Sequence, residues 1–501
     1  MNTLKSLIAQ WKQDIAVLPI WLYVIYILAI VAGVVIRWSD LGHPGFFYDT
    51  VATQYDWARA AGEQGAWGMW RGYEGFLDYL PGSIVLIGVL HNLSQTFAPG
   101  IESFVFILKL FNALGDFFLA LLLFFLSIRF VPNLHNRIWI QIIVLVTPAL
   151  WTVSTLWGQF DIWSINLSLL CWLLLAFGTQ KKHWIWSGIL LLLAMSFKMQ
   201  FILLLPLILF TLWQKTHTIS YKLLGWIVAI IILCGLLIIS GFTVVSTAWL
   251  VPLPFLASIL IAYLIWRKSP RDNITARWFG ISFWLALSTY FLFFLTANFE
   301  RFFSSYGTFF IRGDALTSSA ANIWNILGIT GSASQHLLEH PVVTARSFST
   351  IVLLFIGILV ISKLISFKNI TQGLRTLSIP VQIWGVTLVT IAYYFFSANM
   401  HERYLHTGVV MSLVLLSVSS FKFWHIATQT ILLHLAYTLN IITVYYYFSS
   451  SSLGGGHNIA PPWMTAFFSN LTVDLTLVGA TIIVLVLYGL YWLPPKKVNS
   501  R

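Results

Sequence analysis

The stretch 395-FFSANMHERYLHTG-408 sets a histidine, a glutamate and an arginine in direct succession between two segments as apolar as lipid tails. Desolvated charge needs a partner, so a cluster of ionisable groups at the mouth of an apolar segment is a site hypothesis. The flanking segments decide the fold. They belong to a chain of 501 residues that is 58% hydrophobic and only 9% charged. No soluble core needs that much apolar surface, and many charge-free windows of about 20 residues are long enough to cross a bilayer. The expectation is an all-α, polytopic transmembrane helical bundle. Uninterrupted apolar runs, in place of period-two alternation, argue against an outer-membrane barrel.

The formal net charge of +12 does not point to nucleic acid, because the basic residues fall in short loops between apolar segments. That is the cytoplasmic-loop bias of membrane proteins. Cys171 and Cys234 lie within apolar runs and suggest neither a disulfide framework nor a zinc site. The first apolar run, roughly 16–36, lacks a cleavage signature and reads as a retained span.

Lys5 and Lys12 place the N-terminus in the cytoplasm by the same bias. A first extracytoplasmic loop follows over 37–81, rich in acids and aromatics. Segment 83–97 is short for a span and reads as re-entrant, interfacial or spanning; 103–128 is a span. Further spans are expected at 138–156, 162–179, 222–241, 243–266, 278–297, 348–366, 380–398, 406–421, 424–448 and 471–493, with a second extracytoplasmic loop at 298–347. Residues 184–213 begin and end near Lys181, Lys182 and Lys215 yet carry Lys198 midway, which fits two short helices with Lys198 at the outer turn. The total is about 12–14 spans by window length and charge bias. Asp49, Asp78, Asp161, Lys198, Arg301 and His401–Arg403 then all fall on the extracytoplasmic side.

Several of these residues carry candidate chemistry. In 47-FYDTVATQYDWA-58 and 76-FLDYLPGS-83 an aspartate stands next to a tyrosine: Asp49 beside Tyr48, Asp78 beside Tyr79. A carboxylate against an aromatic wall gains basicity and suits a general base, whereas a solvated or capping loop acid has no such role. In 156-LWGQFDIW-163, Gln159 and Asp161 suit a polar ligand such as a sugar, or Asp161 caps the next helix. Lys198 in 195-MSFKMQF-201 is either a cation for a phosphate or a side chain snorkelling to the interface. Arg403 has a fork of donors suited to phosphate, His401 adds a donor and Glu402 can orient the arginine. The alternative is an Arg–Glu pair at a helix end. Glu300-Arg301 is a weaker pair of the same kind. Asp116 and His434 read as satisfied structural groups. Neither a metal-ligand spacing nor a glycine-rich phosphate loop is present.

Asp49, Asp78-Tyr79-Leu80-Pro81, Trp157-Gly158-Gln159-Phe160-Asp161, Lys198 and Met400-His401-Glu402-Arg403-Tyr404, in this order over roughly residues 45–406, resemble the GT-C superfamily of integral-membrane glycosyltransferases. The pattern is most similar to the mannosyltransferase-related branch akin to GPI mannosyltransferase II and to the dolichyl-phosphate-glucose-dependent glucosyltransferases. The family's Asp-Tyr-Pro-Pro element has Leu80 in place of its first proline here. The resemblance implies an inverting transfer of a hexose, mannose first, from a polyprenyl-phosphate donor to a lipid, glycan or protein acceptor on the extracytoplasmic face. It implies Asp49 as the catalytic base, Asp78 as a second catalytic residue through the Asp-Tyr-Pro-Pro element, and His401 and Arg403 near the lipid phosphate, joined on chemical grounds by Lys198 and Arg301. Glu402, Gln159, Asp161 and Tyr79 would orient these groups or bind sugar. No cofactor is implied and a divalent metal stays open; the partners are membrane lipids and no nucleic acid. The expected location is a prokaryotic plasma membrane, or the endoplasmic reticulum membrane in a eukaryote. A transporter or flippase of lipid-linked sugars, or a glycan ligase or polymerase, is the rival reading. A purely structural membrane protein would not collect charges at such cost.

Overall fold

The computed structural model describes residues 18–42, 50, 53–73, 77, 79–198, 200–216, 278–283, 317–318, 321–327, 345–364, 377–397, 400–419, 422–450 and 475–491. At His401–Arg403 it describes the backbone alone. Helices make up almost all of these residues. They are α1 (Ile20–Leu41), α2 (Asp56–Gly72), α3 (Pro81–Phe97), α4 (Ile101–Phe130), α5 (Leu134–Val146) and α6 (Pro148–Trp151), which passes into a π-turn at Thr152–Trp157. Then come α7 (Asp161–Phe177), α8 (Lys181–Phe197), α9 (Phe201–Thr216), α10 (Ile323–Ile326), α11 (Ala345–Leu364), α12 (Ile379–Phe396), α13 (His406–Val418), α14 (Phe423–Ser450) and α15 (Leu475–Tyr491). The one sheet among them is a two-residue parallel pair, β1 (Thr317–Ser318) against β2 (Met400–His401).

Five of the described helices are long and apolar enough to cross a membrane: 20–41, 101–130, 134–157, 379–396 and 423–446. The molecule is an all-α helical membrane protein. The apolar runs read from sequence at 348–366, 380–398, 406–421, 424–448 and 471–493 fall on α11 to α15, each shifted by a few residues at most. Those at 222–241, 243–266 and most of 278–297 and 298–347 lie outside the described residues.

The core is organised on α13. All thirteen of its residues are buried, including its polar ones, His406, Thr407, Ser412 and Ser417. It packs against α4, α12 and α14, and also meets α5 and α7. A helix that is buried all round has no outward face to be polar, which is why its sequence shows no amphipathic stripe.

The bundle has two chemically different ends. At one, Arg129 lies over the Phe177 ring, Lys215 reaches Gly178 O at 3.5 Å and Lys181 lies over Trp278. At the other, Lys109 on α4 donates to Asp40 O at the end of α1, 2.9 Å away. Trp38 and Phe106 also meet there, so Leu41 and Ile101 stand at the same end. The polypeptide between them, 42–100, therefore leaves and returns on one side. Segment 37–81 contains helix in place of a plain loop: α1 continues through Arg37 to Leu41, and α2 fills 56–72 with a kink at Gly65. Helix α3 does not cross the bundle. Ser83, at its start, donates to Phe197 O at the end of α8, and its last residues lead straight into α4. It packs instead along α2, where Gly88 lets the two backbones approach so closely that a Cβ would stand 2.9 Å from that of Ala61.

A buried ion pair ties three helices together below this end. Arg37 on α1 donates from Nε to Asp116 Oδ2 on α4 at 2.9 Å, and from Nη1 to both Gly33 O and Leu145 O. Ser154 in the π-turn donates to the same carboxylate oxygen at 2.7 Å. Both charged side chains are at most 3% exposed. Removing one partner of such a pair strands the other's charge, at a cost of about 3–5 kcal/mol. Arg37→Ala should therefore lower the apparent thermal midpoint in detergent markedly, and Arg37→Ala/Asp116→Ala should recover part of the loss. An unchanged midpoint in the single variant would show that the pair does not hold these helices.

Candidate functional site

The loop 157–161 is the centre of the site. Pro148 interrupts the helix begun at Leu134, and the chain then widens into the π-turn 152–157. π-turns recur at functional sites because the extra residue redirects the backbone. Gly158 has φ +90°, a left-handed conformation that a side chain strains. A Cβ there would also stand 3.1 Å from Thr50 Oγ1 and 3.8 Å from Lys109 Cε. Thr50 closes the same corner by donating to Trp157 O at 2.8 Å.

Beyond the glycine, five side chains from four segments join in one bonded network. Gln54 Nε2 donates to Tyr79 OH at 3.0 Å, and Tyr79 OH donates to Gln159 Oε1 at 2.9 Å. Lys198 Nζ donates to the same Gln159 oxygen at 2.9 Å and pairs with the Asp161 carboxylate. Aromatic rings wall this chain: Trp57 lies edge-on to Tyr79, Tyr79 edge-on to Phe160, and Lys198 Nζ stands 5.1 Å from the ring centroids of both Tyr79 and Phe160. Asp161 is fully buried and the Lys198 side chain is 11% exposed.

Of the sequence-derived site residues, Tyr79, Gln159, Asp161 and Lys198 are thus brought together. Phe160 precedes α7 with no capping side chain, and Asp161 turns to Lys198, so the capping reading falls. Lys198 sits between α8 and α9 as the two-helix reading expects; it is not a lone snorkelling cation. The backbone of His401–Arg403 forms β2 and the first part of a 3-10 turn, Glu402–Leu405, which packs on α12, α13 and α14. That turn leads into His406, whose imidazole lies within electrostatic reach of Asp161 and Lys198. Asp49, Asp78 and Arg301 lie outside the described residues. Their sequence neighbours Thr50 and Tyr79 are the ones bonded to Trp157 and Gln159. Among the described residues, no three His, Cys, Asp or Glu side chains gather as a metal site.

His434 is satisfied as expected, whereas Asp116 is bonded through Oδ2 alone, its Oδ1 having no partner among the described residues. His434 meets Thr147 Oγ1 at 2.6 Å and Ser412 Oγ at 3.3 Å. Three residues were not singled out from sequence. Lys109 had a visible signal, a lysine inside an apolar span, which by itself marks a site. Gln54 and Arg37 had none, because their partners are 25 and 79 positions away.

No family model matches this chain, and no curated protein matches it significantly.

The cluster can bind a polar ligand in two ways. Amides between aromatic rings suit sugar hydroxyls and ring C–H faces, and a lysine at the edge suits an anion. The Lys198–Asp161 pair also has a structural cost if broken. Lys198→Met should lower stability more than Lys198→Met combined with Asp161→Asn, since the double variant leaves no unpaired buried charge. Thermal unfolding of the three variants in detergent checks this. A double variant less stable than either single one would mean that the pair is not the main interaction of either residue.

Proposed function

We propose that the protein is a multi-pass, inverting glycosyltransferase that moves a hexose, mannose first, from a polyprenyl-phosphate donor to an acceptor on the extracytoplasmic face. The observation that carries the reading is the convergence of Gln54, Tyr79, Gln159, Asp161 and Lys198 at the bundle end away from Arg129, Lys181 and Lys215. Basic residues mark the cytoplasmic end of membrane helices, so the cluster belongs to the outer side. The order of motifs that resembles the GT-C superfamily supports the same assignment.

The chemistry is coherent with these groups. Glycosyl transfer passes through an oxocarbenium-like transition state, and inversion needs one base on the acceptor side. Asp49 fills that role in the proposal, taking the proton of the acceptor hydroxyl as its oxygen attacks the anomeric carbon. The bond from that carbon to the phosphate oxygen breaks, and the polyprenyl phosphate leaves with the electron pair. A phosphate leaves as an anion without needing an acid, so the opposite side calls for cations. Arg403, His401, Lys198 and Arg301 are assigned there. Glu402 and Asp161 orient Arg403 and Lys198, Asp78 is assigned as the second catalytic carboxylate, and Tyr79 and Gln159 contact the sugar. The fold is then a GT-C-like bundle, in a prokaryotic plasma membrane or, in a eukaryote, that of the endoplasmic reticulum.

The test is a transfer assay with purified protein, polyprenyl-phosphate-mannose and extracted membrane acceptors, read by mass spectrometry. A product heavier by one hexose is expected. Asp49→Asn should abolish transfer and leave donor binding near normal, whereas Arg403→Ala should weaken both. Retention of most activity by Asp49→Asn removes the base assignment. Donor movement across vesicles without any acceptor would replace the enzyme by a flippase, and a product carrying a whole glycan would replace it by a ligase.

A further inference from the structure

His406 is the buried ionisable side chain that the site, as described so far, does not use. It is the first residue of α13 and is 1% exposed. Neither of its ring nitrogens has a hydrogen-bond partner among the described residues. On the packed pair α4 and α13, Asn112, with both amide atoms, and Thr407, with its hydroxyl, share that condition among the described residues. A buried polar atom left unbonded is costly, so such a set points to a place built for another state.

The charges around the imidazole say which state. Asp116 from α4, Asp161 from α7 and Lys198 from the α8–α9 turn all act on it electrostatically. From α14 come His434, coupled to it through charge, and the Tyr437 ring at 6.0 Å. Helix α12 brings only the phenols of Tyr393 and Tyr394, and α5 brings His135 and Arg137, the latter bonded to Val131 O and Pro132 O at the other end. The Glu402–Leu405 turn carries Glu402, Arg403 and Tyr404. The two carboxylates that act on the imidazole are each paired, Asp116 with Arg37 and Asp161 with Lys198. Helix α4 also carries the buried Lys109, which donates to Asp40 O and lies within electrostatic reach of the Asp40 carboxylate. A phosphodiester that engages Lys198 draws the ammonium from Asp161, and a buried charge that loses its partner has to be compensated.

We propose that His406 takes up a proton when the anionic donor engages Lys198, the imidazolium then compensating Asp161. The inference rests on the reading of the protein as a user of polyprenyl-phosphate sugars. The proton comes from solvent and returns when the polyprenyl phosphate departs. His406 acts through Asp161 and Lys198 and is a positioning residue. Its sign is fixed: binding that requires a proton weakens as pH rises through the pKa of the bound state, by up to about tenfold per pH unit for one proton.

Polyprenyl-phosphate-mannose is the right probe, because a phosphodiester keeps one charge across pH 5.5–8.5 and so contributes no titration of its own over about that range. Calorimetric titration of the full-length protein in detergent, in buffers of different ionisation enthalpy, should show net proton uptake and an affinity that falls with pH. His406→Gln should bind with little dependence on pH and take up no proton, and His406→Asn serves if the glutamine variant does not fold. If neither variant folds, wild-type binding without net proton uptake still overturns the role, and His401→Gln, which should keep the uptake, separates the two histidines. Donor binding without proton uptake, or the same pH dependence in wild type and variant, overturns the role of His406 and leaves the glycosyltransferase reading standing. No binding of the donor at any pH overturns the reading and the inference together.

Discussion

Charge inside an apolar bundle has to be matched, and the Lys198–Asp161 pair is where that requirement shapes this protein. The pair joins the turn between α8 and α9 to the first residue of α7, which are 37 positions apart. Satisfying it fixes the loop 157–161, because Gln159 shares the same ammonium group. The loop in turn needs the π-turn and the positive φ of Gly158 to bring Gln159 and Asp161 to the same lysine. A side chain at 158 would press on Thr50 and Lys109, so the corner has no slack. The ionic contact thus dictates local backbone geometry, and that geometry places the amides and aromatic rings.

The same rule operates a layer deeper. Arg37 and Asp116 hold α1 to α4, and Ser154 links their carboxylate to the π-turn. Between the two pairs lies the buried start of α13, with His406 in reach of both carboxylates. Since α13 touches six of the described helices, a change in charge at its first residue is felt by most of the core. Stability and site electrostatics are not separable here: the groups that pin the helices are the groups that set the charge a ligand meets.

What was legible in the sequence follows from range. Spans announce themselves locally, so 380–398 and 424–448 fall on α12 and α14 with only the ends shifted. Lys198 was legible because a cation midway between two basic loops forces the chain to turn back. Tyr79, Gln159 and Asp161 were legible as polar residues in apolar surroundings. Helix α3 was ambiguous, since 17 residues of mixed polarity fit both a short span and a helix lying at one end; only the joint return of Leu41 and Ile101 to the same end decides. The helix inside 37–81 was masked by its glycines, which lower helix propensity at 62, 65 and 68. Arg37 was misassigned to a loop because an arginine after an apolar run ordinarily marks its end. Here Asp116, far along the chain, draws it inside.

A resting ion pair at the proposed phosphate position is compatible with binding an anion there. A bare buried lysine would carry a desolvation cost of several kcal/mol and would lose its charge before any ligand arrived. Asp161 pairs with the ammonium and aims it, while Gln159 holds it from a second direction. An arriving phosphate then competes with a carboxylate for a donor already oriented, so little side-chain entropy is lost on binding. The cost of that arrangement is the charge left on Asp161 when its partner turns to the ligand. An imidazole whose two nitrogens have no partner among the described residues, standing within electrostatic reach of that carboxylate, is a group chemically able to absorb it.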